Sequence, residues 1–393
     1  MGIFSKDKKK KDLTLIFDIG SSSVGGALCY IENSGTPKII YSIREPISIQ
    51  NEVSFDTLLS SIMKSLDIVA NKICTMGFGK PDKIFCFLSS LLYGSQTRTI
   101  KLEKNNSFIF TLKIADSLIK KEISLFEEER LIKHIHSNEQ IRPIELKNMK
   151  TMLNGYAVDK PLDKKIKEIE MNVFISMSSD EILKKIEYTI GKYFNPKDIK
   201  FSSFLMAFFT VIRDMFAYHE SFLLVDIDGE ITDISIIKND VLCESISFPN
   251  GLNFITRGVA NFLNLSLDEA KSLISLYKDD YMEEQIKKKF DPVINKLKEE
   301  WLKKFQESLF NISNNISIPL NIFLISDKDF LDFFTKIIKT EEFNQYALTQ
   351  SKFKITSLNT KELHGIATFK ENIYRDPFLT IESIYINRLS DKI

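Results

Sequence analysis

The chain has few glycines and few cysteines, and both shortages narrow what it can be. Only 14 of its 393 residues are glycine. Three of them, Gly20, Gly25 and Gly26, lie within seven residues, which indicates that the backbone there needs the freedom or the close approach that glycine allows. The four cysteines lie far apart and form no Cys-x-x-Cys pair, which argues against a zinc site or a disulfide framework. We expect reduced thiols, as in a cytoplasmic protein.

Long apolar runs and net charge are missing as well. The best apolar run, residues 204–212, is about half of the ~18–20 residues that a membrane span needs. The 53 basic and 53 acidic side chains cancel, so no global basic field favours a nucleic-acid partner. Residues 1–12 carry five lysines and two aspartates. They are either a basic, flexible tail or a weak attractor for an anionic membrane surface, at roughly 1 kcal/mol per lysine.

The rest of the sequence alternates apolar strands with helices and repeats one pattern. Strand, turn, strand, strand, helix and strand follow one another from about residue 13 and again from about residue 222. Each copy opens with an apolar strand that ends in Asp-Ile, at residues 17–20 (FDIG) and 225–228 (VDID). We therefore predict an internal duplication, with two α/β lobes that face one another. Helices are predicted over Phe55–Thr75 and Asp180–Phe194.

Two further predictions concern helices near the C-terminus. Asp291 and Pro292 match an N-cap followed by proline at the first helical position. The helix that they open carries an apolar stripe, predicted to be core, of Ile294, Leu297, Trp301, Phe305 and Leu309. Residues 378–389 are predicted to form the helix that closes the second lobe. A membrane anchor there is disfavoured because the segment lacks a cluster of basic residues.

The first Asp-Ile strand runs into a loop suited to a phosphate. Gly20 lets the backbone come close to a ligand, and consecutive N–H groups can donate to phosphate oxygens together with serine hydroxyls. Those serines are Ser21, Ser22 and Ser23. Asp18, at the strand end, could hold Mg²⁺, usually through water.

Two histidines two residues apart, His134 and His136, would share one face of a strand. No third ligand with metal-site spacing accompanies them, so a metal site there is disfavoured. His219 and His364 are isolated and are expected to be structural or exposed.

Four stretches together resemble the actin-like ATPase superfamily, and more narrowly the bacterial cell-division family FtsA and the type IV pilus family PilM. They are residues 1–28 (MGIFSK…LIFDIGSSSVGGAL), 153–186 (LNGYAVDKPLDKKIKEIEMNVFISMSSDEILKKI), 223–237 (LLVDIDGEITDISII) and 246–274 (ISFPNGLNFITRGVANFLNLSLDEAKSLI). The resemblance covers most of residues 1–275 and becomes vague beyond them.

The resemblance implies an α/β chain of the actin-like ATPase fold, with two duplicated ribonuclease-H-like lobes and an inserted SHS2-like (1C) module. The implied divisions are a basic flexible tail at 1–12, the first lobe core (1A) at 13–96 and 164–219, and the inserted module at 97–163. The second lobe core (2A) follows at 220–250 and 317–393, with subdomain 2B at 251–316.

The resemblance also implies ATP held between the lobes with Mg²⁺. The first loop would contribute Asp18, Gly20, Ser21, Ser22 and Ser23. The second loop would contribute Asp226, Gly229, Thr232 and Asp233, and the turn after it Gly251. Asp18 and Asp226 would be the Mg²⁺ ligands.

The sequence departs from the family pattern at three nucleotide contacts. In the second loop, two glycines of the family become Asp228 and Glu230, whose carboxylates repel a polyanion where phosphates must approach. The acid and lysine expected to contact the nucleoside become Lys271 and Ile274. The Gly-Gly turn expected beneath the adenosine becomes residues 326–328 (SDK). No water-activating residue is found before the second loop, so whether ATP binds and is hydrolysed stays open.

Three functions stay open. The first is a cytoplasmic scaffold at the face of the bacterial inner membrane, which recruits protein partners of the division or pilus machinery and hydrolyses ATP weakly or not at all. The second is an active, polymerising FtsA-type ATPase. The third is a PilM-type platform that captures a partner's cytoplasmic peptide. Self-association and peripheral membrane contact stay open in each of them, and nucleic acid is not expected as a partner.

Overall fold

The computed structural model describes residues 12–31, 35–129, 140–313, 317–340 and 352–390. The N-terminal lysines and the pair His134 and His136 lie outside these ranges. In chain order, the described strands are β1 (Asp12–Ile19), β2 (Ser23–Ile31), β3 (Lys38–Pro46), β4 (Lys83–Leu88), β5 (Gly94–Ile109), β6 (Ile141–Leu153), β7 (Tyr156–Ala157), β8 (Lys165–Ser179), β9 (Ile199–Ser203), β10 (Phe222–Ile227), β11 (Thr232–Lys238), β12 (Val241–Phe248), β13 (Asn321–Ser326), β14 (Lys354–Ser357) and β15 (Thr368–Phe369).

The helices of the described ranges are α1 (Phe55–Thr75), α2 (Leu112–Glu129), α3 (Asp180–Phe194), α4 (Phe204–Met215), α5 (Leu252–Leu263), α6 (Leu267–Lys278), α7 (Glu284–Ser313), α8 (Lys328–Thr340) and α9 (Pro377–Ser390). Within those ranges, no helix combines the length and the apolar character that a membrane crossing requires.

Two sheets repeat one topology. In the first sheet, β1 lies between an antiparallel β2 and a parallel β4, and β3 and β9 extend the sheet on either side. In the second, β10 lies between an antiparallel β11 and a parallel β13, and β12 and β14 extend it in the same way. The predicted duplication of an α/β lobe is therefore confirmed, and the two Asp-Ile strands, β1 and β10, hold equivalent places.

A third sheet, with strand order β5-β8-β6-β7, is inserted into the first lobe. Helix α2 packs on it, and buried Phe126 of α2 belongs to one apolar cluster with Ile169 and Val173 of β8. Strand β8 pairs with β5 along most of its length, from Gly94 opposite Met177 to Ile109 opposite Lys165. The predicted module bounds of 97–163 leave this strand out.

The C-terminal segment returns to the first lobe. Strand β15 pairs with β3, and α9 packs on α4 and on β1 and β2. The ring of Tyr385 lies 5.9 Å from that of Phe87 of β4. The prediction that this helix closes the second lobe is wrong. Helices α4 and α9 share one buried core with residues of both sheets, and the side chains from α9 include Leu379, Ile381, Ile384, Tyr385 and Ile386.

Helix α7 begins earlier than predicted. Pro292 lies inside it, so the predicted start at Asp291 is wrong. The apolar stripe continues back to Phe290, whose buried ring lies 4.9 Å from Tyr277 of α6. We attribute the extra turns to this contact, which offsets the hydrogen bond that proline cannot donate. The predicted stripe is core: Ile294, Leu297, Trp301, Phe305 and Leu309 are each at most 1% exposed.

Candidate functional site

The loops that follow β1 and β10 meet at the centre of the molecule, and a side chain of the second fills the first. The N–H of Ser21 donates to Asp228 Oδ2 at 2.7 Å, and the N–H of Ser22 donates to Oδ1 at 2.9 Å. The N–H of Gly229 also donates to Oδ1, at 2.7 Å. One carboxylate thus accepts three backbone N–H groups, two of them in the loop predicted to bind a phosphate.

Two glycines allow this close approach. A Cβ on Gly229 would lie 2.7 Å from the backbone carbonyl carbon and oxygen of Ser21. A Cβ on Gly251, the residue before α5, would lie 2.1 Å from the carbonyl oxygen of Asp228. That oxygen instead accepts the N–H of Leu252 at 2.9 Å. Gly229 and Gly251, predicted as nucleotide contacts, therefore bring the second loop against the first loop and the start of α5.

Glu230, the second added acid, is turned toward α5. Its carboxylate pairs with both Nη atoms of Arg257, at 3.0 Å for Nη1, and accepts a hydrogen bond from the Asn253 amide at 2.7 Å. Its backbone N–H donates to Ser21 Oγ at 2.9 Å. The charge of Glu230 is therefore balanced by Arg257 within the second lobe.

Arg44 of β3 stands where the predicted cation would lie. Its Nη2 lies 2.6 Å from Asp18 Oδ2, its Nε lies 2.5 Å from Asp376 Oδ2, and its Nη1 donates to Ser23 Oγ at 2.9 Å. Gly25 pairs with Arg44 across the sheet, and a Cβ there would lie 2.8 Å from Nη2. This glycine therefore makes room for a guanidinium, which supplies a fixed positive charge beside Asp18.

The charges around Arg44 are strongly coupled. Burial raises the pKa of Asp18 to about 6, Arg44 opposes that rise, and Asp376 adds to it. Burial alone would lower the pKa of Arg44, but Asp376 and Asp18 together raise it well above its ordinary value. Arg44 therefore stays charged, and Asp18 has a cationic partner without any metal ion. The described residues contain no group of three or more His, Cys, Asp or Glu side chains placed to hold a metal ion.

Asp226 differs from Asp18 and Glu230, because it has no cationic side-chain partner among the described residues. Its Oδ1 is buried and has no hydrogen-bond partner among the described residues. Burial first, and then the charges of Asp233, Asp228 and Asp18, raise its pKa well above the ordinary value. In this arrangement the fold therefore disfavours the ionised form of Asp226, the form in which a carboxylate binds a hard cation.

Very little space remains beside the first loop. The cavity lined by Asp18, Ser22, Arg44, Asp226 and Asp228 has a volume of about 30 Å³. This is room for about two waters, far below the roughly 300–1,000 Å³ of pockets that enclose small ligands. A triphosphate does not fit this conformation.

The end of the second loop lies apart from that space. Thr232 Oγ1 donates to the carbonyl oxygen of Asn250 at 2.8 Å, and Asp233 accepts the hydroxyls of Ser90, at 2.6 Å, and of Ser247. Asp233 lines a second cavity of about 240 Å³ between β12, α4 and the start of the inserted module, and Asp226 lines both this cavity and the space at the first loop. Thr232 and Asp233, predicted as nucleotide contacts, therefore do not line the space at the first loop.

The predicted nucleoside contacts are replaced by core and surface groups. Ile274 is 6% exposed and lies in the core of the second lobe, while Lys271 is exposed. Ser326 is buried, and its hydroxyl donates to the carbonyl oxygen of Ile227 at 3.0 Å. No buried cation faces the cleft from these positions.

The structure thus brings together most of the predicted residues, namely Asp18, Gly20, Ser21, Ser22, Ser23, Asp226, Gly229 and Gly251. Three charged residues of the site, Arg44, Asp376 and Arg257, were not predicted from the sequence. Arg44 could have been found from the sequence. It is the one basic residue after Lys38 in a short strand, and the preceding strand, which contains Gly25 and Gly26, lies next to it. Asp376 could not have been found, since nothing in the sequence showed that the C-terminal segment returns to the first lobe.

No protein-family model and no curated protein sequence matches the chain. Solved structures do match. A chain of a PilM–PilN type IV pilus biogenesis complex aligns over 96% of this chain and 98% of its own length, at 14% identity and a TM-score of 0.61. The ethanolamine utilization protein EutJ from Carboxydothermus hydrogenoformans aligns over 95% and 89%, at 10% identity and a TM-score of 0.44. A Bacteroides thetaiotaomicron protein with an actin-like ATPase fold and unknown function aligns over 98% and 99%, at 9% identity and a TM-score of 0.38.

Of these three likenesses, the one to the PilM–PilN complex defines the fold. With the duplicated sheets, it confirms the predicted fold class: the chain is a divergent version of the actin-like ATPase fold.

Proposed function

We propose that this chain is an actin-fold scaffold that recruits protein partners and hydrolyses ATP weakly or not at all. One observation carries the proposal: the Asp228 carboxylate occupies the loop N–H groups that a phosphate would need. The space left beside it, about 30 Å³, supports the same conclusion.

The partner is proposed to belong to a pilus or division machinery at the cytoplasmic face of the inner membrane. Support comes from the likeness to a PilM–PilN complex, in which a chain of similar fold is assembled with another protein. Between the two machineries this likeness favours the pilus, and a PilM-type platform is therefore the form of the proposal that we prefer.

An active, polymerising ATPase is the weaker alternative. Hydrolysis needs a group that positions or deprotonates water beside the terminal phosphate. Helix α4, which precedes the second loop, offers Thr210, which is buried, and Arg213 and Asp214, which pair with one another at 2.9 Å. None of these three lines the space at the first loop.

Titration calorimetry with ATP and Mg²⁺ tests the nucleotide part of the proposal. We expect no heat of binding at sub-micromolar affinity and no phosphate release above a protein-free control. Sub-micromolar binding together with measurable release would overturn the degenerate-site proposal and restore the ATPase alternative.

Deletion of the gene in its bacterial source tests the partner class. Loss of surface pili with normal cell length is the outcome expected of a PilM-type platform. Long undivided cells would assign the chain to division instead, and normal cells with normal pili would contradict both assignments.

A further inference from the structure

We propose that Asp228 is a built-in ligand of an anion site in the first loop, and that this site binds phosphate when the carboxylate is taken away. The inference rests on the same hydrogen bonds as the proposed function and deepens it, since it concerns what the first loop can bind whichever partner the chain recruits. It also changes the role of the acid: Asp228 substitutes for a phosphate, in addition to repelling one.

The first step is the donor geometry. The N–H groups of Ser21 and Ser22 each reach a different oxygen of one carboxylate, at 2.7 and 2.9 Å. Successive N–H groups that converge on one anion form the kind of concave backbone site that binds phosphate oxygens. Carboxylate and phosphate both present two oxygens on one central atom, so a site that fits the first also fits two oxygens of the second.

The second step is that Asp228 is held in place by its own loop. Its backbone N–H donates to the carbonyl oxygen of Ile231 at 3.0 Å, and the N–H of Gly229 donates to its Oδ1 at 2.7 Å. On the side of the first loop, a Cβ on Gly20 would sit 3.2 Å from both carboxylate oxygens. The side chain is therefore oriented by its own loop and closely enclosed by the first loop, which makes it an effective internal ligand.

The third step is the local charge. Two other acids near the carboxylate have cationic partners: Asp18 shares Arg44, at 2.6 Å, with Asp376, and Glu230 pairs with Arg257. Asp226 and Asp327 also line this space, as does Arg44. Without Asp228, an incoming phosphate therefore meets two free N–H donors and a nearby guanidinium, with one acid fewer to repel it.

The hydrogen bonds of Asp228 also connect the two lobes. Asp228 belongs to the second lobe and its N–H donors Ser21 and Ser22 to the first, so the same hydrogen bonds that fill the anion site also join the lobes. Glu230 adds a bond of the same kind through its N–H to Ser21 Oγ at 2.9 Å.

The test compares amide hydrogen exchange in the first loop of the wild-type chain and of an Asp228→Gly variant. We expect the amides of Ser21 and Ser22 to exchange at least tenfold faster in the variant. Inorganic phosphate at millimolar concentration should restore protection there, and acetate, which mimics the lost side chain, should restore part of it. The wild-type loop should respond to neither anion.

An Asp228→Asn variant keeps one oxygen acceptor without the charge and serves if the glycine variant fails to fold. Its loop should exchange faster than wild type, but less so than that of the glycine variant, and should gain protection from phosphate. Exposed Asp240→Asn is the matched control and should leave the loop unchanged.

Faster exchange that neither anion reverses would reduce Asp228 to a structural residue and overturn the inference, as would an unchanged exchange rate. Sub-micromolar ATP binding with measurable phosphate release by the wild-type chain would overturn the proposed function, and the exchange measurements on the variants would still decide the role of Asp228.

Discussion

At the scale of single residues, the replacement of a glycine by Asp228 has two physical effects: the carboxylate repels a polyanion, and it accepts hydrogen bonds from the first loop. The sequence shows that Asp228 and Glu230 replace glycines, and Coulomb repulsion of a polyanion follows from that alone. The hydrogen bonds from Ser21 and Ser22 could not be predicted, because they depend on how two loops about 200 residues apart meet. Hydrogen bonds to a charged group contribute about 1.5–3 kcal/mol each, so these contacts are a substantial part of what joins the loops.

The raised pKa of Asp226 makes the stability of the fold depend on pH. An acid whose pKa is raised by folding stabilises the fold fully at low pH, and this contribution is lost as the pH rises above the unfolded value of about 3.9. An Asp226→Asn variant mimics the protonated form at every pH. Its free energy of unfolding, relative to wild type, should therefore rise between about pH 5 and pH 8, by at most roughly 1.4 kcal/mol per pH unit.

Urea denaturation of both proteins at several pH values measures this difference. Other acids with raised pKa values, Asp18 and Glu382, are present in both chains, so their contributions largely cancel in the comparison. Parallel pH profiles for variant and wild type would show that Asp226 is ionised in the fold.

At the scale of elements, the predicted bounds of a helix are correct where local chemistry sets the residues at which it begins and ends. Helices α1 and α3 begin and end where the sequence places them, because Ser54 and Ser179 cap their first turns and an apolar face repeats along each. The start of α7 was wrong, since the Asp291-Pro292 cap pattern was overridden by the packing of Phe290. The position of α9 was wrong because no local pattern says which lobe a buried helix covers.

Two glycines that lie in helices, Gly258 and Gly191, make a matched pair for testing the packing of α5 against α7. A Cβ on Gly258 of α5 would lie 2.3 Å from Leu297 Cδ2 of α7, whereas a Cβ on Gly191 of α3 meets no atom within 4 Å. Gly258→Ala should lower the free energy of unfolding by about 1–3 kcal/mol, because either the buried Leu297 side chain must leave its position or α5 and α7 must move apart. Gly191→Ala should raise it by about 0.5–1 kcal/mol, because alanine favours the helix.

Chemical denaturation of the two variants beside wild type checks both signs. If Gly258→Ala were as stable as Gly191→Ala, the contact between α5 and α7 would be looser than the structure shows.

At the scale of the whole molecule, the two lobes share a buried core. Ile16 and Phe87 of the first sheet, Leu224 and Phe323 of the second, and side chains of α4 and α9 belong to one apolar cluster. The duplicated fold was predictable from two repeated strand patterns. The shared core was not, because it depends on the return of residues 377–390 across the molecule.

This shared core predicts that the lobes unfold together. Trp301 is the single tryptophan and is buried in the second lobe against Phe305 and Phe334. Its fluorescence should therefore change at the same denaturant concentration as the far-ultraviolet circular dichroism of the whole chain. Two separate transitions would mean that the lobes are independent units despite their common cluster.

The return of α9 also sets an order of events during synthesis. The ribosome delivers the chain from its N-terminus, so the first sheet up to β9 emerges before any of the second lobe. The second sheet has its last strand at Ser357, while the first sheet and α4 wait for residues 377–390 to cover their apolar face. A nascent chain paused between these points carries an uncovered hydrophobic surface, which makes it a substrate for chaperones until α9 has been translated.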